Sequence, residues 1–145
     1  MVRDMPEDVA KFEFLTEQWI AKTDEVRAEF RQHHGALELK RMTINLVVTD
    51  CPFEDRPTVD ANLDSTTGEP IIRLGHLPKA DFKITTSYDI AKSIFVDGQV
   101  SRAMEAVQLG RIKIDGSMLK MMGLAALATD KDGQALAKQI RTITA

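Results

Sequence analysis

Gly110-Arg111-Ile112-Lys113-Ile114-Asp115-Gly116, followed at once by Ser117-Met118-Leu119-Lys120-Met121-Met122-Gly123-Leu124-Ala125-Ala126-Leu127-Ala128, is the stretch on which the fold turns. Its first part alternates. Ile112 and Ile114 fall on one side and Arg111, Lys113 and Asp115 on the other, the period of a strand with one buried face. Gly116 ends the strand, and Ser117 is placed to cap a helix over 118–128. That helix is apolar almost all round: Met118, Met121, Met122 and Ala125 share one face, Leu119, Leu124 and Leu127 another, and Lys120 is its one charged residue. A surface helix of a small domain carries a single apolar stripe, so this one is either covered by protein or borders an apolar space. Unbranched, polarisable thioethers fill core gaps, line adaptable ligand sites and serve partner surfaces alike. Composition therefore leaves core packing, a ligand cavity and an oligomer contact all open.

Working outward, Asp81–Thr86 alternates with Phe82 and Ile84 on one face. Ser87 caps a short helix, Tyr88–Val96, which Asp97-Gly98 ends, and Val100, Met104 and Val107 mark a further helix closed by Gly110. Farther back, Met42, Ile44, Leu46 and Val48 form an alternating strand stopped by Cys51-Pro52, and Val59, Ala61 and Leu63 form a second. Ser65-Thr66-Thr67-Gly68 is turn chemistry, which predicts a hairpin into Ile71–Leu74. Residues 7–34 read as one bent helix or two, opening after Pro6, with Phe12, Leu15, Trp19, Val26 and Phe30 on a stripe and Gly35 as terminator. A last helix starts at Asp132-Gly133 and buries Leu136, Ile140 and Ile143. The order is a helix, an antiparallel meander, then helices interrupting the final strand. Without a regular βαβ alternation this predicts an α+β fold, its sheet covered on one side by helices.

Composition bounds the function. The chain has 145 residues, 43% hydrophobic and 28% charged, the balance of one globular domain spanning 1–145. Its formal charge of -3 lacks the basic footprint of a phosphate-backbone binder, so nucleic acid is not expected as a partner. Charge is uneven, -2 over residues 1–41, -4 over 42–75 and +3 over 76–145. The acidic middle block reads as solvated loops. The single cysteine, Cys51, excludes an internal disulfide and any multi-cysteine metal site. No apolar run reaches the length of a membrane span, and no signal pattern opens the chain, so a cytoplasmic monomer or small homo-oligomer is expected.

The run Ala80-Asp81-Phe82-Lys83-Ile84-Thr85-Thr86-Ser87, a short helix ending in Gly98, then Ala106 ahead of Gly110–Gly116 and an apolar helix, resembles the signature of the sterol carrier protein type two family, the nonspecific lipid-transfer proteins. The match is good from about 80 to 128 and extends by element order from about 7 to 79. The sequence departs from the pattern at Val107, where an aromatic is usual, and at Ser117, where an acidic or amide residue is usual. The peroxisomal address of some relatives is not at its C-terminus. The resemblance implies a five-stranded, mostly antiparallel sheet layered by helices around a hydrophobic tunnel, and ligands such as fatty acids, fatty acyl-CoA or sterol-like lipids. Carried onto this chain, it implies a tunnel lined by Phe82, Ile84, Phe95, Met104, Val107, Ile112, Met118, Met121, Met122 and Ala125. It also implies transient membrane contact, no cofactor, no metal and no catalysis.

Competing chemistry is sparse. No nucleophile elbow, dinucleotide loop or phosphate loop occurs. His33-His34 complements a helix end, and Glu38 would have to swing past Gly35 to complete a metal site with them. His76 paired with Asp64 or Asp81 would supply the acid and base of a small enzyme acting on a hydrophobic substrate. Cys51 reads as an apolar filler. Lys79, Lys83, Lys92 and Lys113 either ring a tunnel mouth or are solvated surface.

Overall fold

The computed structural model describes residues 10–97, 100–116, 123, 126–127 and 129–145, with the backbone alone at 100, 101 and 104, and five strands and four helices are bounded among the described residues. The strands are β1 (Thr43–Thr49), β2 (Val59–Asp64), β3 (Ile71–Leu74), β4 (Phe82–Ser87) and β5 (Lys113–Gly116), and the helices α1 (Glu17–His34), α2 (Tyr88–Phe95), α3 (Val100–Gln108) and α4 (Lys131–Thr142). The sheet order is β3-β2-β1-β4-β5. Three neighbouring pairs are antiparallel, but β4 lies parallel to β1. The expected meander therefore stops at β3, and β4 starts again on the far side of β1. Alternation in β4 reports one buried face and says nothing about which neighbour the strand takes.

The register gives the sheet two unlike faces. Two apolar rows cross all five strands. One runs Ile72, Leu63, Ile44, Phe82 and Gly116, the other Leu74, Ala61, Leu46, Ile84 and Ile114. The opposite face reads Arg73, Asn62, Asn45, Lys83 and Asp115 along its middle row. Residues 75–81 carry the chain from β3 to β4 and bind to that polar face. Asn62 Nδ2 donates to the Gly75 carbonyl at 2.9 Å. The Asn45 amide accepts from Leu77 N at 2.8 Å and donates to Leu77 O at 3.0 Å. Asp81 then closes the crossing, its carboxylate accepting from Thr43 N at 3.0 Å. Two buried or half-buried asparagines thus satisfy a connection that has no strand partner of its own.

The apolar face is covered by helices. α2 packs on β1 and β4, α3 on α2, and α1 on α4 and β3. Buried Leu136 and Ile140 supply the inner side of α4, as its periodicity predicts, and buried Ile143 caps its end. Each such side chain taken from water contributes about 1.5–3 kcal/mol. The N-terminal reading needs correction. α1 begins at Glu17, where Thr16 accepts from Trp19 N as N-cap, and not near residue 7. Leu15 has φ +70°, which no helix interior tolerates, and Phe12 forms a parallel bridge with Thr144. A cap residue and a left-handed residue break a stripe that hydrophobic spacing alone continues. Trp19 Nε1 donates to Thr144 Oγ1 at 2.9 Å, and Phe14 meets both Trp19 and Tyr88 ring to ring, so the start of α1 and the segment after α4 close on one aromatic cluster.

Ion pairs fix α1 to the β2–β3 hairpin. Arg27, 7% exposed, reaches Asp24 at 2.5 Å and Glu69 at 3.6 Å, while Arg31 holds Glu69 at 2.5 Å and Arg73 holds Asp24 at 2.9 Å. Burial alone would raise the Asp24 carboxyl. The Arg27 and Arg73 guanidiniums outweigh it and hold the group below its ordinary value.

Two expectations follow from this packing. Gly116 faces Phe82, and a methyl group there would come within 2.5 Å of Phe82 Cδ1 and 2.8 Å of Asp81 O. Gly116→Ala is expected to cost about 1–3 kcal/mol in urea unfolding, because Phe82 has to leave its place. Tyr88, the single tyrosine, donates to Phe14 O at 3.0 Å, and burial together with the Glu13 carboxylate pushes its phenol from 10.0 up to about 12. The folded chain then holds its proton more tightly than the unfolded one. This stability is intact below pH 10 and is lost as pH rises through about 12. Ultraviolet titration of the native protein is expected to show the phenolate appearing near the higher value, and unfolded protein near the lower.

Candidate functional site

The β4–β5 half of the apolar face is where the sequence-predicted lining residues gather. Phe82 and Ile84, 1% and 9% exposed, project from adjacent rows of β4, and Ile114 stands opposite Ile84 on β5. Alternation places them there. Thr86, next on the same face, makes a polar contact instead, its hydroxyl donating to Arg111 O at 3.3 Å. Ile112 is buried just before β5, and Phe95, the last residue of α2, packs half-buried on the same cluster. Phe82, Ile84, Phe95 and Ile112, four of the ten expected residues, therefore belong to one apolar core. Val107 does not join them. It is 44% exposed, because α3 turns its small residues Ala103 and Ala106 inward. Met118, Met121, Met122 and Ala125 lie outside the described residues, as does the side chain of Met104.

Described positions of the apolar segment lie against the same core. Gly123 is helical and buried, and a methyl group on it would come within 2.7 Å of Met42 Cε. Leu127 packs on the core cluster. The sequence reading passed over Met42, Ala106 and Ile114 as site residues. Ile114 was legible from its alternation with Ile112, and Ala106 stood in the family signature, but its small size gave no reason to place it on a cavity wall.

Beside this region a groove of about 420 Å³ runs between Val96-Asp97 and α4, with Ala135 on its wall and Lys131, Lys138 and Arg141 along it. The lysines expected to ring an opening are elsewhere. Lys83 and Lys113 belong to the polar rows of the sheet, Lys79 to the crossing segment, and Lys92 Nζ donates to the carbonyl of Ala145.

Among the described residues the reactive groups are engaged with other partners. His76 Nε2 sits 2.9 Å from Leu46 O and 3.6 Å from Asp60 Oδ1, so its neighbours are neither Asp64 nor Asp81. Asp81 is engaged with Thr43. Burial raises the Cys51 thiol, which donates to Val48 O at 3.3 Å and is thereby kept from the thiolate form a nucleophile needs. His34 pairs with Asp132 at 3.1 Å and stacks on Phe30. Among the described residues no group of three or more His, Cys, Asp or Glu could hold a metal ion, and no helix is long and apolar enough to cross a membrane. The described part of this face excludes water from hydrocarbon.

No family model and no curated protein matches the chain. Solved structures do. A conserved hypothetical protein from Thermus thermophilus, described as possibly sterol carrier protein, superposes with a TM-score of 0.58 at 19% identity, covering 94% of this chain and 93% of its own. Sterol carrier protein domain 2 of Helicoverpa armigera gives 0.54 at 16% identity over 90% and 94%. A crystal structure of sterol carrier protein 2 gives 0.55 at 20% identity over 91% and 100%. At these identities the likeness is one of architecture, and with the same strands, helices and layering over nine-tenths of its length this chain has the sterol carrier protein fold.

Proposed function

We propose that this protein binds apolar ligands (fatty acids, fatty acyl-CoA or sterol-like lipids) in a hydrophobic cavity between its sheet and helices, and carries them without chemical change. The observation that supports this most is the pair of apolar rows, ten positions across five strands with no ionisable side chain. A second support is that Gly123 and Leu127, the described positions of the apolar segment for which contacts are given, lie against Met42 and the core cluster. Phe82, Ile84, Phe95 and Ile112 form the floor and near wall in this reading, with Met104, Met118, Met121, Met122 and Ala125 as the adaptable cover. Lys131, Lys138 and Arg141 suit the acidic end of a fatty acid or acyl-CoA where the groove opens.

The energetics favour a carrier over a trap. Each methylene buried is worth about 0.8 kcal/mol whether the receiving phase is a bilayer or a dry cavity. The two nearly cancel, so loading and release are both accessible, and no reaction is needed to drive either.

Lipid extraction and mass spectrometry of the purified full chain are expected to recover one lipid per molecule. After delipidation, palmitate at a hundred times its Kd is expected to add about 2.7 kcal/mol to unfolding stability. Met121→Trp is expected to weaken palmitate binding while the urea midpoint of the lipid-free protein barely moves. A solid core at that position would instead lose about 1–3 kcal/mol on overpacking. A lipid-free protein whose midpoint ignores palmitate and cholesterol alike contradicts the proposal.

A further inference from the structure

We infer that the exposed side chains of the turn joining α3 to β5, Val107, Leu109, Arg111 and Lys113, are a docking tip for an anionic lipid surface. Val107 and Leu109 are the exposed large hydrophobic side chains among the described residues, at 44% and 61%. Val107 lies in the last turn of α3 and Leu109 directly follows its end. Gly110, at φ +73°, turns the chain directly after them, and the backbone amides of Arg111 and Ile112 fold back onto Ala106 O. The turn is thus held from behind while its apolar pair faces water.

Charge selects the occupant. Arg111 and Lys113 follow the apolar pair, both exposed, and neither is in an ion pair among the described residues. No acidic residue occurs between Glu105 and Asp115. Apolar side chains at a tip with unpaired cations beside them match the interfacial region of a bilayer, where hydrocarbon lies just beneath phosphates. Two side chains fall far short of the roughly 800 Å² per partner that a stable protein interface buries. A membrane needs no such area, since a few inserted side chains and two phosphate contacts suffice for reversible attachment. The surface also stands apart from the proposed cavity, because Ala103 and Ala106 of the same helix face the core. This assignment goes beyond ligand binding and does not depend on it.

The test is co-sedimentation of the full chain with unilamellar vesicles, either phosphatidylcholine alone or equimolar phosphatidylcholine and phosphatidylglycerol. The wild type is expected to bind the anionic vesicles and to be released by salt. Leu109→Asp is expected to weaken that binding about tenfold through loss of an inserted apolar side chain. Arg111→Glu is expected to weaken it by at least about fivefold, the effect of one cation at an anionic surface, while leaving the phosphatidylcholine result unchanged. Both positions are exposed, so both variants are expected to keep the wild-type urea midpoint and palmitate affinity, which separates this surface from the cavity. Equal binding of wild type and Leu109→Asp overturns the inference, as does failure of the wild type to bind anionic vesicles. A wild-type dimer that Leu109→Asp converts to monomer assigns the tip to a second copy of the chain and overturns it as well.

Discussion

A sheet with two apolar rows across one face has to be covered there, and the rest of this molecule is arranged to satisfy that constraint. β1 sets it. Flanked by β2 on one side and β4 on the other, it aligns Ile44 with Leu63 and Phe82, and Leu46 with Ala61 and Ile84. A slip of one residue in either pairing would turn Asn45 or Lys83 into the core and throw an apolar row into water. Gly116 belongs to the same requirement, since the Phe82 ring occupies the space that a side chain would need. On the other face, Asn45 and Asn62 bind the crossing segment, so the chain returns from β3 to β4 without entering the apolar layer.

The cover is made of parts with different tethers. α1 is fixed by the Asp24, Arg27, Glu69, Arg31 and Arg73 ion pairs and by the closure of its start on the segment after α4 at Trp19 and Thr144. The buried Arg27 guanidinium makes that attachment specific, because removing either carboxylate leaves a charge with too few partners. Among the described residues α3 carries no comparable ionic tether. It packs through alanines and offers its larger apolar residue Val107 outward. A rigid wall on one side and small-residue contacts on the other are what a carrier with an adaptable cover would use. The docking tip lies at the end of that same helix, so membrane attachment and access to the proposed cavity would involve neighbouring structure.

Much of this was legible in the residues, and the failures have physical causes. Alternation marked four of the five strands, since a two-residue period with one apolar side is what a half-buried strand requires, and the turn before it marked β3. Ser87 as N-cap and the 65–68 turn were readable from side chains that bond their own backbone, and the structure has both. The parallel partner of β4 was not readable, because pairing is a long-range choice that local pattern does not encode. The start of α1 was misread because Phe12, Leu15 and Trp19 keep helical spacing although Thr16 is the cap. At α3, spacing favoured Val107 as an inward residue, while among the described side chains of the helix the small ones, Ala103 and Ala106, pack on the core. Ala103 and Ala106 gave no signal strong enough to compete.

Isoleucine methyl NMR on the full chain during a palmitate titration tests the central claim most directly. The account predicts that Ile84, Ile112 and Ile114 shift together and saturate at one equivalent, while Ile71 on the polar face stays in place. Shifts confined to surface methyls, or none at saturating palmitate, would mean that the apolar face is closed to ligand and that the carrier reading is wrong.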